Sequence, residues 1–447
     1  MIRRLKDTLA ALPLPTRRAA LALALLAVVP LGVGGRGAWI AAAAVLAGWA
    51  ALVAFDARQM PPTGALSIER GMPERLSIGV PNAVTLTVRN ASGQAARLLL
   101  RETPPPGFAG ERLAGPLEVP PHGEAQASLA FVPPSRGSFV FGDVGVRTLG
   151  PLGLAFRQSA FSCSQRCAVY PDITAVRGYA LLARRGKLHE IGVRAARLAG
   201  SGTEFESLRE YQPGDPYRDI DWKATARRGR PMVRRYEPER SQTLVLAVDA
   251  GRLMAARSGR LSKLDAAVNA ALLLAYLGLE MGDHVGLLAF GRDVDVFVPP
   301  RKGRRQLSVL LEALYDVHPR VEEPDYERAM RYLAQRLSRR ALVVLFTDIA
   351  GLEPSKRLLA VLGGLMPRHL PLVATQRNRG LEERAMADVA DVDDAFAAAV
   401  AEDLLRDKAE ALRLLTARGA LALDVDSERL SVAAVNRYLE VKARGLL

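Results

Sequence analysis

The chain has 447 residues, of which 49% are hydrophobic and 24% charged, a composition that is ordinary for a globular protein of two or three domains. Its net charge is +14, from 61 basic and 47 acidic residues. Because no helix-turn-helix, zinc-finger or aromatic RNA-binding pattern accompanies this charge, a basic cytoplasmic surface is favoured over a specific nucleic-acid interface.

The N-terminus predicts a transmembrane helical hairpin over residues 19–55, preceded by a basic segment, residues 1–18. Residues 19–35 and 37–55 carry no charge, and each stretch approaches the ~20 residues that cross a bilayer. Basic residues are concentrated before the first stretch, and only Arg36 lies between the two. The positive-inside rule therefore places both termini, and most of the chain, in the cytoplasm. A single kinked span is the alternative.

Residues 66–161 predict a β-sandwich of the immunoglobulin-like type. Residues 84–89 and 127–132 alternate apolar and polar side chains, and Pro- and Gly-rich turns separate such runs. We expect this domain to be a spacer or an interaction module, because it contains no catalytic constellation. The two cysteines of the chain, Cys163 and Cys167, follow this domain; they cannot complete a four-ligand zinc site and are expected to be reduced in the cytoplasm.

Residues 241–447 predict an α/β domain with a doubly wound, mostly parallel sheet. Buried strands are expected where apolar runs alternate with helical patterns. The expected strands are residues 243–249, 285–290, 341–348, 370–375 and 421–425. The first and third end in Asp249 and Asp348, at the edge of the sheet where such folds bind ligands.

Between these domains lies a segment rich in charged and aromatic residues, residues 175–240, which we call the charged-aromatic segment. Its candidate residues for partner binding or for local structure are Glu204, Phe205, Arg209, Tyr211, Pro213, Gly214, Asp215, Arg218, Asp221, Trp222, Lys223 and Arg227.

Two compatible interpretations of this segment are open. In the structural one, Pro213–Gly214 forms a type II turn and Trp222 fills an apolar pocket. Ion pairs then fasten the segment to the α/β domain, joining Asp215, Asp219 and Asp221 to Arg218, Lys223, Arg227 and Arg234. In the functional one, the same residues form a surface that binds a partner or ligand.

The run from Tyr211 to Lys223 resembles the bacterial family named domain of unknown function 58, whose pattern is Tyr-x-Pro-Gly-Asp-x-x-Arg-x-Ile-Asp-Trp-Lys. The resemblance implies a von Willebrand A-like fold for the α/β domain and a location in the bacterial plasma (inner) membrane. It also implies work beside a MoxR-type AAA+ ATPase, a client protein or both, in the assembly or maturation of other proteins.

The von Willebrand A resemblance further implies a Mg²⁺ site built from oxygen ligands. Asp249 and Asp348 match two of its positions, but Gly251 and Leu253 stand where two serines are expected. No threonine lies near residues 323–326, where Asp325 is a third carboxylate. The alternative is that Asp249 and Asp348 cap helices or orient loops.

The sequence favours a membrane-anchored adaptor over an enzyme. It contains no Gly-x-x-x-x-Gly-Lys-Ser/Thr, Gly-x-Ser-x-Gly or His-Glu-x-x-His motif. The alternatives are a Mg²⁺-dependent binding module and a hydrolase that uses Asp249 and Asp348 as carboxylate catalysts.

Overall fold

The computed structural model describes residues 13–28, 36–172, 204–212, 215, 217, 220–237, 241–259, 261–349 and 351–447. The chain forms two compact units, Met1–Tyr170 and Pro171–Leu447. The predicted hairpin and β-domain belong to the first unit, and the charged-aromatic segment and α/β domain to the second.

The first unit begins with two helices, α1 (Arg17–Leu26) and α2 (Arg36–Arg58). With 23 residues and a mean hydropathy of 2.1, α2 is long and apolar enough to cross a membrane. It is the one such helix in the described part of the chain. Helix α1 has 10 residues, about 15 Å in length, which is short of a full span. The hairpin prediction is thus supported for one span, and residues 29–35 lie outside the described residues.

The rest of this unit is β-structure, in agreement with the predicted β-rich domain. Its strands are β1 (Leu14–Pro15), β2 (Leu66–Gly71), β3 (Arg75–Ser77), β4 (Asn82–Asn90), β5 (Ala96–Arg101), β6 (Ala109–Gly110), β7 (Leu113–Val119), β8 (Glu124–Val132), β9 (Gly137–Phe141), β10 (Val144–Leu149), β11 (Ala155–Phe161) and β12 (Gln165–Tyr170). They form sheets in the orders β1-β11-β10-β5-β7, β2-β4-β8-β6 and β3-β12-β9.

Alternation of side chains explains the pairing of these strands. In β4, Val84, Leu86 and Val88 are buried while the residues between them are more exposed, as expected for a strand with one face on a core. The pairing of β4 with β8 places Val84 opposite Leu129. Cys163 and Cys167 are both free thiols, and burial raises the pKa of each.

The second unit contains a β-hairpin-like pair and an α/β layer structure. Its elements are β13 (Glu204–Glu210), α3 (Trp222–Arg228), β14 (Met232–Glu237), β15 (Thr243–Asp249), β16 (Arg257–Ser258), β17 (Leu261–Ser262), α4 (Lys263–Glu280), β18 (His284–Phe290), β19 (Val294–Arg301), α5 (Arg304–Tyr315), α6 (Tyr326–Arg336), β20 (Ala341–Phe346), α7 (Leu352–Leu365), β21 (Leu370–Gln376), α8 (Arg379–Ala385), α9 (Val392–Ala417), β22 (Leu421–Val425) and α10 (Leu430–Ala443).

The main sheet has six strands in the order β19-β18-β15-β20-β21-β22. Five are parallel, as predicted, and β19 adds an antiparallel edge. Successive residues of β15 alternate between two cores: Leu244 and Leu246 pack with α4, α5 and α10, whereas Val245 packs with α6, α7 and α9. The sheet is therefore covered by helices on both faces, and its carboxyl edge gathers Asp249 and Asp348 at the ends of neighbouring strands.

Candidate functional site

Asp249, at the carboxyl end of β15, is buried and fully hydrogen-bonded. Its Oδ1 accepts a hydrogen bond from the Gly251 N–H at 2.7 Å. Its Oδ2 accepts from Thr347 Oγ1 at 2.6 Å and from the Tyr326 hydroxyl at 3.1 Å. Burial raises the pKa of Asp249 to about 6, because the charged carboxylate loses the solvation of water. Its two oxygens thus hold the loops at the top of the sheet together.

Asp348, after the neighbouring strand β20, is paired with two lysines. Its Oδ2 bonds the ammonium group of Lys263, at the start of α4, and its Oδ1 lies 3.3 Å from that of Lys408 in α9. Lys408 also donates to the Gln376 carbonyl at 2.6 Å and lies 3.0 Å from Asp424. All three members of this Lys263–Asp348–Lys408 cluster are buried. Positive charge is therefore supplied to this carboxylate by the protein itself.

These residues do not fit a divalent ion. A Cβ at Gly251 would lie 2.7 Å from Pro324 Cδ, so the fold leaves no room for a serine there. Asp325, the third candidate carboxylate, caps α6 by accepting from the Arg328 N–H at 2.9 Å. Within the described residues, no group of three or more His, Cys, Asp or Glu is placed to hold a metal. The hydroxyls near Asp249 come from Thr347 and Tyr326, and both are already bonded to it.

The expectation that these carboxylates orient loops fits Asp249 best, since it holds Gly251, Tyr326 and Thr347 in place. Asp348 instead belongs to an ion-pair cluster with Lys263 and Lys408. Sequence reasoning missed Lys263, Lys408, Tyr326 and Thr347. The available signal was a lysine, Lys263, in an otherwise apolar buried helix, a position where lysine is rare unless it is paired.

The charged-aromatic segment contrasts with this closed edge, because its order comes from local contacts. Arg209 donates to both oxygens of Asp215, at 2.8 and 2.5 Å, and the Gln212 N–H donates to the same carboxylate at 2.8 Å. The hydrogen bonds from Arg209 lower the pKa of Asp215. The rings of Tyr211 and Tyr217 stack with centroids 5.8 Å apart. These contacts fix the turn that follows β13.

Helix α3 is fixed at both ends and to the strand behind it. Asp221 caps its start by accepting from the N–H groups of Lys223 and Ala224, both at 3.0 Å. Gly229 ends it in the left-handed conformation, with φ at 67°. The Met232 N–H donates to Thr225 Oγ1 at 3.0 Å. Short side-chain and backbone bonds therefore hold a helix of seven residues in a defined orientation.

On this frame the large aromatic side chains face solvent. Trp222 is 70% exposed and Tyr217 is 75% exposed. The predicted apolar pocket for Trp222 is therefore wrong: Ile220 and Val233 fill the interior of the segment instead. Three basic residues of α3, Lys223, Arg227 and Arg228, are exposed as well. We call the exposed set Tyr217, Trp222, Lys223, Arg227 and Arg228 the aromatic site.

The structure gives Asp215 a partner that the sequence did not predict, Arg209, and the carboxylate of Asp221 caps α3. The positions of Pro213, Gly214, Arg218 and Asp219 lie outside the described residues. Glu204 and Phe205 lie in β13, which pairs with β14. Within the described residues of the segment, an ion pair and short hydrogen bonds hold the frame on which the exposed side chains lie.

Residues 207–412 match the model of the family described as "Protein of unknown function DUF58". The match includes the aromatic site and both Asp249 and Asp348. The uncharacterized protein Rv1480 of Mycobacterium tuberculosis is 28% identical over 279 residues, which are 59% of this chain and 86% of that protein. The uncharacterized protein YeaD of Bacillus subtilis is 29% identical over 223 residues, 49% of this chain and 52% of YeaD.

Similar solved structures are more distant. BatB, a conserved hypothetical protein from Bacteroides thetaiotaomicron, is 13% identical with a TM-score of 0.28, over 45% of this chain and 99% of that one. The CARDB domain of PF1109 from Pyrococcus furiosus is also 13% identical, with a TM-score of 0.17, over 23% of this chain and 86% of that one. The finding that bears on identity is therefore the match of residues 207–412 to the DUF58 family model.

Proposed function

We propose that this chain, with its DUF58 domain, is a membrane-anchored adaptor that docks a partner protein on the aromatic site and performs no catalysis of its own. The observation that carries the proposal is the exposure of Trp222 and Tyr217 on a frame held by hydrogen bonds. A soluble surface rarely holds two large rings in such a position without a binding role.

The chemistry of the aromatic site fits protein recognition. Trp, Tyr and Arg are the residues that dominate binding energy at protein interfaces, because they bury a large area and form directional bonds. A frame that is already ordered also lowers the entropy cost of binding. The basic residues Lys223, Arg227 and Arg228 favour a partner whose contact surface is acidic.

The partner that the family resemblance implies is a MoxR-type AAA+ ATPase, a client protein or both. The chain contains no phosphate-binding loop of the Gly-x-x-x-x-Gly-Lys-Ser/Thr type, so ATP hydrolysis would belong to that partner. The adaptor would bring the ATPase to the membrane, where it acts in the assembly or maturation of other proteins.

The contacts of the first unit support a two-span anchor with both ends on one side of the membrane. Before α1, Leu14 pairs with Phe156 of β11 and the Thr16 N–H donates to Leu154 at 2.8 Å. In the last turn of α2, the buried carboxylate of Asp56 accepts from the N–H groups of Leu154 and Ala155, at 2.7 and 2.8 Å. Both ends of the helical segment are thus fastened to the same β-strand region.

This arrangement constrains the number of membrane crossings. If α2 crosses the bilayer, a chain that leaves the β-domain at Thr16 and returns to it at Asp56 must cross an even number of times. The tryptophan of α2, Trp49, donates to the carbonyl of Ala19 in α1 at 3.0 Å, which places the two helices side by side. We therefore keep the two-span hairpin over residues 19–55, with both termini in the bacterial cytoplasm.

Two finer features of the fold belong to the same proposal. The mostly antiparallel sheets of the first unit, with alternating burial, favour an immunoglobulin-like sandwich that spaces the DUF58 domain from the membrane. The six-stranded sheet with helices on both faces and one antiparallel edge favours a von Willebrand A-like domain, here without a fitting metal site.

Affinity capture of the full chain from its native membrane tests the docking role. The double variant Trp222→Ala/Tyr217→Ala should reduce recovery of the ATPase about 30-fold, which corresponds to ~2 kcal/mol for loss of central aromatic residues. Val321→Ala is the control, since Val321 is 91% exposed but lies outside the aromatic site. Equal recovery with all three proteins would overturn the proposal.

A further inference from the structure

A second unpartnered surface lies on the helices inserted between β21 and β22. No residue of α9 before Ala401 is buried, whereas Ala411 and Leu415 in its second half enter the core. The first half of α9 therefore projects from the domain. We call residues 386–403 the acidic arm.

One face of the acidic arm is apolar. Val392, Phe396 and Val400 are spaced four residues apart, so they lie along the same side of the helix. Val392 is 82% exposed and Phe396 is 72% exposed, and Met386 and Val389 just before the helix are exposed as well. An apolar stripe of this size on a surface marks an interaction site.

The charge of the acidic arm is opposite to that of the chain. Residues 386–403 hold six acidic residues and no Lys or Arg, in a chain of net charge +14. Asp391, Asp393 and Asp394 have a local reason, because they lie at the N-terminus of α9, where negative charge is favourable. Asp394 also pairs with Arg384, and Asp403 pairs with Arg406, whereas Asp388 and Glu402 lie outside the first turn and leave the arm acidic. A surface that binds this stripe must therefore present apolar side chains together with basic residues.

The aromatic site has that chemistry. It combines the two exposed rings with three exposed basic residues, whereas the arm combines an apolar stripe with acidic residues. Both surfaces belong to the second unit, yet both are exposed in one copy of the chain, so they do not cover each other within that copy. A contact between them requires two copies.

We infer that the acidic arm of one copy docks on the aromatic site of a second copy, an inference that rests on the docking role proposed above. The contact is head-to-tail, because it joins two different surfaces, so each pair keeps one free arm and one free aromatic site. Anchoring in a membrane raises the local concentration of copies and favours such a contact. Self-association then occupies the site that docks the partner, and the two forms of binding exclude each other.

Photo-crosslinking of the full chain in lipid vesicles tests this inference. Protein labelled with ¹⁵N and protein with ¹⁴N are mixed in equal amounts, each with a benzoylphenylalanine in place of Phe396. We expect crosslinked peptides of mixed isotope that join position 396 to residues 217–228. Crosslinks from position 396 that are never of mixed isotope, or that join it only to other positions or to another protein, would each overturn the inference.

Charge reversal supplies the specificity control. Asp393→Arg/Asp403→Arg, or Lys223→Glu/Arg227→Glu, should each reduce the mixed-isotope yield at least tenfold, and the combination of all four should restore most of it. Glu410→Arg, on the same helix but beyond the arm, should leave the yield unchanged. A combination that restores nothing contradicts an electrostatic contact between these two surfaces.

The two proposals fail separately. Phe396→Ser should abolish the contact between copies and leave capture of the partner intact, while Trp222→Ala should abolish both. Loss of partner capture in Trp222→Ala with no mixed-isotope crosslinks would refute self-association and leave the docking role standing.

Discussion

The carboxyl edge of the main sheet and the charged-aromatic segment both concentrate polar residues, but they present them in opposite ways. At the edge, Asp249 and Asp348 are buried and bonded to protein groups. In the segment, the polar residues Arg209, Asp215 and Asp221 form the frame, and the rings are left in solvent.

This difference teaches where binding is to be sought in the domain. Ligands of open α/β sheets are expected at the carboxyl edge of the sheet. Here the ammonium groups of Lys263 and Lys408 neutralise the carboxylate of Asp348 at that edge. A site whose charges are already satisfied gains little from a new ligand. The exposed rings of Trp222 and Tyr217 have much more to gain from a partner.

The largest loss of stability is expected when Lys263, which pairs with Asp348 at the closed edge, is replaced. Lys263→Ala leaves the buried carboxylate of Asp348 with the longer contact to Lys408 and the Ile349 N–H, and removing one partner of a buried ion pair costs about 3–5 kcal/mol. Chemical denaturation of the full chain, followed by circular dichroism, measures the free energy of unfolding. A loss below about 1 kcal/mol would show that the cluster does not hold the edge closed.

The pH dependence of stability tests the burial of Asp249. The pKa of this group rises from 3.8 to about 6 on folding, so between these values the folded chain keeps a proton that the unfolded chain releases. Its contribution to stability therefore falls as pH rises from about 4 to 6, by about 3 kcal/mol in total, and is constant above. Asp249→Asn cannot titrate and serves as the reference.

We expect the difference in unfolding free energy between wild type and Asp249→Asn to change across this pH range and to be flat above it. A difference that is constant from pH 4 to 7 would show that Asp249 is solvated, and the edge would then be open.

Gly251→Ser should reduce the free energy of unfolding by a smaller amount, and it also tests why the edge does not bind Mg²⁺. The new side chain meets Pro324, so we expect a loss of about 1–3 kcal/mol in unfolding free energy from overpacking. Isothermal titration with Mg²⁺ should show no binding to the variant or to wild type. Binding of Mg²⁺ by the variant would mean that the missing hydroxyl, and not the lysine cluster, is what excludes the ion.

A substitution in the frame of the charged-aromatic segment should have the smallest effect on the free energy of unfolding. Asp215→Asn removes a charged bond to Arg209 at a half-exposed position, where water replaces much of what is lost. We expect little change in unfolding free energy but weaker capture of the partner, because the turn that carries Tyr217 loosens. Asp316→Asn, at an unrelated helix end, is the control; equal capture by both variants would show that the frame is dispensable.

Much of the fold is predictable because it depends on local pattern. Continuous apolar runs gave the parallel strands, and Ser262 caps α4 where the helix was expected to begin. The antiparallel strand β19 was not predicted, since Pro299 and Pro300 at its end resemble a loop. An edge strand tolerates proline because one of its sides makes no ladder bonds.

The site was less predictable because it depends on contacts between distant residues. Lys263 and Lys408 reach Asp348 from 85 and 60 residues away, and no local pattern reports such pairs. The density of aromatic residues around Trp222 was correct as a signal, but composition does not tell on which side of a segment a ring lies. Its exposure follows from the cap at Asp221, which sets the orientation of α3.

The most direct test of the central claim compares two variants in the same capture experiment from native membranes. Trp222→Ala removes the ring of the aromatic site, and Asp249→Asn alters the closed edge while its neighbours can still donate and accept hydrogen bonds. We predict that the partner ATPase is lost with Trp222→Ala and retained with Asp249→Asn. Retention with Trp222→Ala and loss with a stably folded Asp249→Asn would contradict the claim and return binding to the carboxyl edge of the sheet.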